Sequence, residues 1–116
     1  MVAFNTDKGL IRIADAVFTS IAGDAATNCF GVKGMAVRSV SDGLVHLLKR
    51  EAMSKGIHIS YEEDGSISIE LHIVVDNGVN IPVICNSIIN EVSYKVKTAT
   101  GVNVKDIEVF ADSMTV

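Results

Sequence analysis

Two periodicities alternate along this 116-residue chain, and each marks an element. In Gly9–Ile13, Ile11 and Ile13 share one face and Arg12 takes the other, the two-residue period of a short strand. From Ala14 the spacing lengthens. Ala14, Val17, Phe18, Ile21, Ala22 and Ala25 fall at i, i+3, i+4, i+7, i+8 and i+11, one apolar stripe of a helix. Asp15 suits the positive end of its dipole, and Asn28 and Gly31 bring it to a stop. Met35–Val40 reads as extended. Ser41 and Asp42 then offer an N-cap for a short helix that turns Leu44, Leu47 and Leu48 inward and ends at Gly56.

The next two runs form a hairpin. Ile57, Ile59 and Tyr61 alternate with His58, Ser60 and Glu62, and Ile67, Ile69, Leu71, Ile73 and Val75 alternate with polar residues. Parity sets the register. A two-residue Asp64-Gly65 turn would put apolar residues opposite polar ones, whereas a three-residue loop, Glu63-Asp64-Gly65, pairs Tyr61 with Ile67 and Ile59 with Ile69. Gly65 then takes the left-handed position of that loop.

After a loop at Asp76-Asn77-Gly78 comes a helix with Pro82 at its first position. Ile81, Cys85, Ile88, Val92, Val96 and Ala99 form its stripe, and Gly101 is the expected stop. A last strand carries Ile107 and Val109 inward. Val102 and Val104 have the opposite parity, which predicts a bulge near Lys105-Asp106. The order is β-α-β-α-β-β-α-β over one domain, residues 1–116. It predicts an α+β, two-layer sandwich: a mainly antiparallel sheet with helices on one face.

Composition agrees with a folded domain. Apolar residues make up 48% and charged residues 21%, outside the disordered range. A chain of this length buries roughly 65% of its unfolded surface. With aromatics at 5%, the core falls to Val, Ile, Leu and Ala. The net charge of −4 argues against bulk nucleic-acid binding. The opening MVAFNTDKG is unlike a signal peptide, and no apolar run approaches the ~20 residues of a membrane span. The expected location is cytoplasmic.

The candidate chemistry is sparse. Cys29 and Cys85 lack a CxxC partner or an identifiable base, and read as reduced, buried thiols that serve as small core hydrophobes. His58 and His72 lie on the polar face of the hairpin with Glu70 between them. A metal site fits that geometry, but no fourth ligand is at hand and His46 is on another element, so solvated or loosely paired histidines are expected. No serine sits in GxSxG, and neither phosphate-binding glycine motif is present. No catalytic residue, cofactor or metal is expected.

Charge is distributed unevenly. Gly31-Val32-Lys33-Gly34 is a GxxG element like the RNA-clamping loop of K-homology domains, but such a loop joins two helices and Met35–Arg38 reads as extended. A helix-to-strand turn explains it better. Residues 33–55 hold Lys33, Arg38, Lys49, Arg50 and Lys55 against Asp42 and Glu51, a local +3. Residues 62–76 hold Glu62, Glu63, Asp64, Glu70 and Asp76 and no basic residue, a local −5. Opposite patches on one domain can meet across neighbouring copies, so these ten residues are the candidate interaction set. The alternative is two solvated faces that neutralise each other within one molecule. The mean hydropathy of +0.37 also suggests apolar surface that meets protein.

Three segments together resemble one family. GLIRIADAVFTSIAGDAATNCFGVKGM is similar to the opening of the alkaline-shock-protein family of Gram-positive bacteria, with its I-A-G-x-A-A and G-V-x-G-M blocks. IVVDNGVNIPVICNSIINEVSYKVKTATGVNVKDIEVFADSM resembles the second block, and SDGLVHLLKREAMSKGIHI fits between them. Ala14 stands where the family has a serine cap, and Asn77 replaces an aromatic before Gly78. The resemblance is to the single-domain branch, whose genes commonly neighbour one for a fatty-acid kinase. It implies a non-enzymatic protein of envelope stress and cell-envelope homeostasis. It also implies that membrane localisation can come through a separate membrane-anchored partner. With the apolar surface and the opposite charge patches, the leading reading is a self-associating scaffold at the inner membrane face. The alternative is a small binding module, for RNA through GVKG or for an acyl-lipid intermediate of the kinase.

Overall fold

The computed structural model describes residues 1–39 and 43–116. The elements are β1 (Val2–Asn5), β2 (Leu10–Ile13), α1 (Asp15–Thr27), β3 (Val32–Arg38) and β4 (Val45–Leu47). A 3₁₀ segment (Arg50–Gly56) follows, then β5 (Ile57–Tyr61), β6 (Ile67–Val75), α2 (Ile81–Thr100) and β7 (Val104–Met114). Strand β6 organises the rest, because its alternation gives it an apolar and a polar face. Ile67, Ile69, Leu71, Ile73 and Val75 are buried against the helices, while Ser68, Glu70 and His72 are only partly covered. One edge of β6 pairs antiparallel with β5 and then β3, and the other pairs parallel with β7 along its whole length. Strand β4 extends the sheet beyond β3, and β1–β2 form a separate two-stranded ribbon.

Both helices supply the second layer. Ile84, Ile88, Val92 and Val96 of α2 are buried at a helical spacing, each worth roughly 1.5–3 kcal/mol. The α1 face is Phe18, Ala22, Gly23, Ala25 and Ala26. Gly23 lies directly under Met53: a Cβ would lie 2.9 Å from Met53 Sδ, so the 3₁₀ segment closes onto α1 through that flexible side chain.

The α+β class, the mainly antiparallel sheet and the element order are as the sequence predicts. So is the hairpin register, with Tyr61 opposite Ile67, Ile59 opposite Ile69, and Gly65 at φ 88°. The bulge also falls where parity places it, since Val104 faces Ile67, Asp106 faces Ser68, and Lys105 is the extra residue.

Other expectations need correction. Residues 45–47 form a strand on β3, and the helical turn begins only at Arg50; Leu44 and Leu47 are exposed. Leucines at i, i+3 and i+4 over so few residues do not distinguish a helix from an edge strand followed by a turn. The cap expected at Ser41 and Asp42, and Val40 at the end of the preceding strand, lie outside the described residues. On α1, Val17 is exposed and Gly23 and Ala26 are buried, because the 3₁₀ segment rotates the covered face. On α2, Ile81 and Ala99 are exposed and Ile84 takes the buried place expected for Cys85. Pro82 is the second helical residue, behind an Asn80 cap that accepts from Val83 N–H at 3.2 Å. Strand β1 was not anticipated.

Candidate functional site

The polar face of the β5–β6–β7 sheet gathers the histidines. In register, His58 of β5, Glu70 of β6 and Glu108 of β7 form one row across the three strands. Ser60, Ser68 and Asp106 form the next row towards the hairpin, and His72 stands beside Phe110 towards the other end. His58, Ser60, Ser68, Glu70, Asp106 and Glu108 border a shallow depression.

His72 is held most firmly. Its Nδ1 lies 2.7 Å from Asp112 Oδ2 and its Nε2 lies 2.9 Å from Glu70 Oε2. The ring stacks on Phe110, with centroids 4.6 Å apart and planes 6° from parallel. His58 meets it edge-on at 5.8 Å and places Nε2 3.9 Å from the same Glu70 oxygen. Burial pulls the His72 pKa down, but hydrogen bonds to Glu70 and Asp112 and the charges of both outweigh it, leaving His72 above its usual 6.5. Asp112 is the unpaired residue of a second bulge, between Ala111 opposite Ile73 and Ser113 opposite Val74.

Asp112 and Phe110 were missed in the sequence. Their outward parity follows from inward Ile107 and Val109, but meeting His72 depends on the parallel register of β7 on β6. Local pattern does not encode that register.

The charged candidates are dispersed. Lys33 and Arg38 are exposed on β3, and Arg38 Nη1 donates to the Gly43 carbonyl at 2.7 Å. Lys49 precedes the 3₁₀ segment and Lys55 lies within it, both exposed. Arg50 bridges to Asp24 of α1 at 2.9 Å. Glu62, Glu63 and Asp64 cluster at the hairpin end of β6, whereas Asp76 follows its far end. Glu62 accepts from Ser68 Oγ at 2.7 Å and lies 4.0 Å from Lys105 Nζ. Asp64 accepts from the hydroxyl and the N–H of Ser66, which hold its carboxyl below the usual range.

GVKG joins α1 to β3. Gly31, at φ 88°, packs so closely on α2 that a Cβ would lie 2.3 Å from Ile84 Cδ1. Its carbonyl accepts from Asp76 N–H at 2.9 Å, and Val32 N–H donates to the Cys29 carbonyl at 3.3 Å, so this backbone serves a helix–strand junction. Both cysteines are half-buried where full burial was expected; partial desolvation raises each thiol pKa, and Cys29 Sγ also donates to the Ala25 carbonyl at 3.3 Å. No helix among the described residues is long and apolar enough to cross a membrane.

Comparison with known proteins covers nearly the whole chain. The profile of the alkaline-shock-protein family, described by its "cell envelope-related function", matches residues 3–116. Spy1614 of Streptococcus pyogenes is 31% identical over 116 residues, covering 99% of this chain and 95% of its own. YloU of Bacillus subtilis is 29% identical over 116 residues, covering 99% and 96%. YqhY of Bacillus subtilis is 29% identical over 105 residues, covering 90% and 76%. All three relatives are described as uncharacterized. No solved structure matches.

Proposed function

Because this chain belongs to the alkaline-shock-protein family, whose function relates to the cell envelope, we propose that it is a non-enzymatic scaffold that self-associates in envelope homeostasis. The β1–β2 ribbon is the observation that carries this reading. It stands outside the main sheet, yet Phe4, Leu10 and Ile11 are exposed on it. Val2 and Ile13 pack one end of it against the core, and the exposed apolar side chains on the rest of the ribbon gain by being covered. Phe30, 91% exposed beside Gly31, and Val83 in the first turn of α2 offer further apolar surface.

A second copy is the occupant that charge favours. Lys33, Lys49 and Lys55 are exposed around β3 and the 3₁₀ segment, and Glu63 and Asp64 at the hairpin tip. Contact between unlike patches need not close, so assembly can continue as an open chain. Attachment at the inner membrane face then comes from a partner protein.

Sedimentation at low and high salt, with Lys49→Glu and Glu63→Lys alone and combined, tests the proposal. Each swap is expected to weaken assembly and the pair to restore part of it. Swaps that leave assembly unchanged, or a chain that is always monomeric, overturn it.

A further inference from the structure

We propose that His58, Glu70 and His72 form a three-ligand site for a divalent transition-metal ion of the zinc class, with Asp112 as the positioning residue behind His72. The three donor atoms already lie within 4.8 Å of one another. Ligand bonds of ~2.0–2.2 Å in a tetrahedral site place donors roughly 3.3 Å apart. The 2.9 Å between His72 Nε2 and Glu70 Oε2 must therefore open slightly, and the 3.9 Å from His58 to Glu70 must close slightly. His58, with its side chain 61% exposed, is free to make that adjustment.

The electrostatics of His72 call for a cation. Both ring nitrogens face carboxylate oxygens, Nδ1 at 2.7 Å from Asp112 Oδ2 and Nε2 at 2.9 Å from Glu70 Oε2. A neutral ring carries one N–H and would aim the lone pair of its other nitrogen at a carboxylate, so a second proton or a metal ion is needed there. With the N–H on Nδ1 towards Asp112, that place is between Nε2 and Glu70. Glu108 beside Glu70 in the same row adds a second negative charge and strengthens the demand. A carboxylate on the far nitrogen of a ligating histidine fixes the ring and raises its basicity, which is the arrangement of Asp112. Phe110 stacking restricts the ring further. Three protein ligands leave a fourth position for water or for a donor from another molecule. Two imidazoles and one carboxylate suit zinc, cobalt or nickel better than magnesium or calcium.

The test uses the untagged full chain, freed of metal by chelator, titrated calorimetrically with Zn²⁺ and followed by visible absorption with Co²⁺. One equivalent is expected to bind, with proton release and the intense bands of four-coordinate cobalt. His58→Ala and Glu70→Gln are expected to abolish saturable binding with unchanged circular dichroism. Asp112→Asn is expected to weaken affinity roughly ten- to a hundredfold and alter the cobalt spectrum. His46→Ala, away from the site, is expected to leave binding intact. Absence of saturable binding, or binding that survives both His58→Ala and Glu70→Gln, overturns the proposal.

Discussion

The hydroxyl of Tyr61, the last residue of β5, donates to the carboxylate of Asp15 in the first turn of α1. Asp15 also holds the chain's amino terminus at 3.3 Å. One carboxylate thus ties the hairpin, the first helix and the start of the chain together. Burial and then Asp15 itself, by hydrogen bond and by charge, push the Tyr61 pKa up to about 12. In Tyr94→Phe, which leaves Tyr61 as the lone tyrosine, the ultraviolet ionisation midpoint should lie near that value. Adding Asp15→Asn should move it down.

The same shift has a consequence for stability in alkali. Tyr61 titrates higher folded than unfolded, so its contribution is complete below the unfolded value near 10 and is lost as pH rises towards about 12. Denaturant unfolding should show stability falling across that window, with a smaller fall in Tyr61→Phe. Equal falls in both proteins would assign the loss to other groups.

Gly56 is a position where backbone meets backbone. A Cβ there would lie 2.6 Å from the Ala36 carbonyl oxygen and 3.3 Å from that of His72. Neither can retreat as a flexible side chain would, so Gly56→Ala should cost about 1–3 kcal/mol or more. Gly65→Ala has open space around its Cβ but φ at +88°, and should cost about 1 kcal/mol from backbone strain alone. Chemical denaturation of the two variants ranks them.

The leucines separate the expected helix from the observed strand. Leu71 is fully buried on β6, and Leu71→Ala should cost about 2–5 kcal/mol. Leu44 is exposed ahead of β4, and Leu44→Ala should stay within about 0.5 kcal/mol. Under the inward helix expected from spacing alone, Leu44→Ala would be as damaging as a core truncation. Unfolding midpoints decide between them.

What was legible follows from how far each signal reaches along the chain. The hairpin register was readable because parity and loop length act between neighbours, and Gly65 and the Lys105 bulge obey the same local rule. Long stripes located both helices, but which residue of a stripe is buried depends on what packs there. Met53 against Gly23 and Ile84 in place of Cys85 are tertiary outcomes. The histidine pair and Glu70 were visible as alternation on one strand pair. Asp112 joined them only through the parallel pairing of β7, which brings together residues 40 apart in sequence.

Sedimentation velocity of the full chain over a wide concentration range tests the scaffold reading most directly, alongside Phe4→Ser combined with Ile11→Ser on the ribbon. The account predicts species that grow with concentration in the parent chain, shrink in high salt and are lost in the double variant while the fold is retained. One monomeric species for the parent chain at every concentration and salt would contradict it.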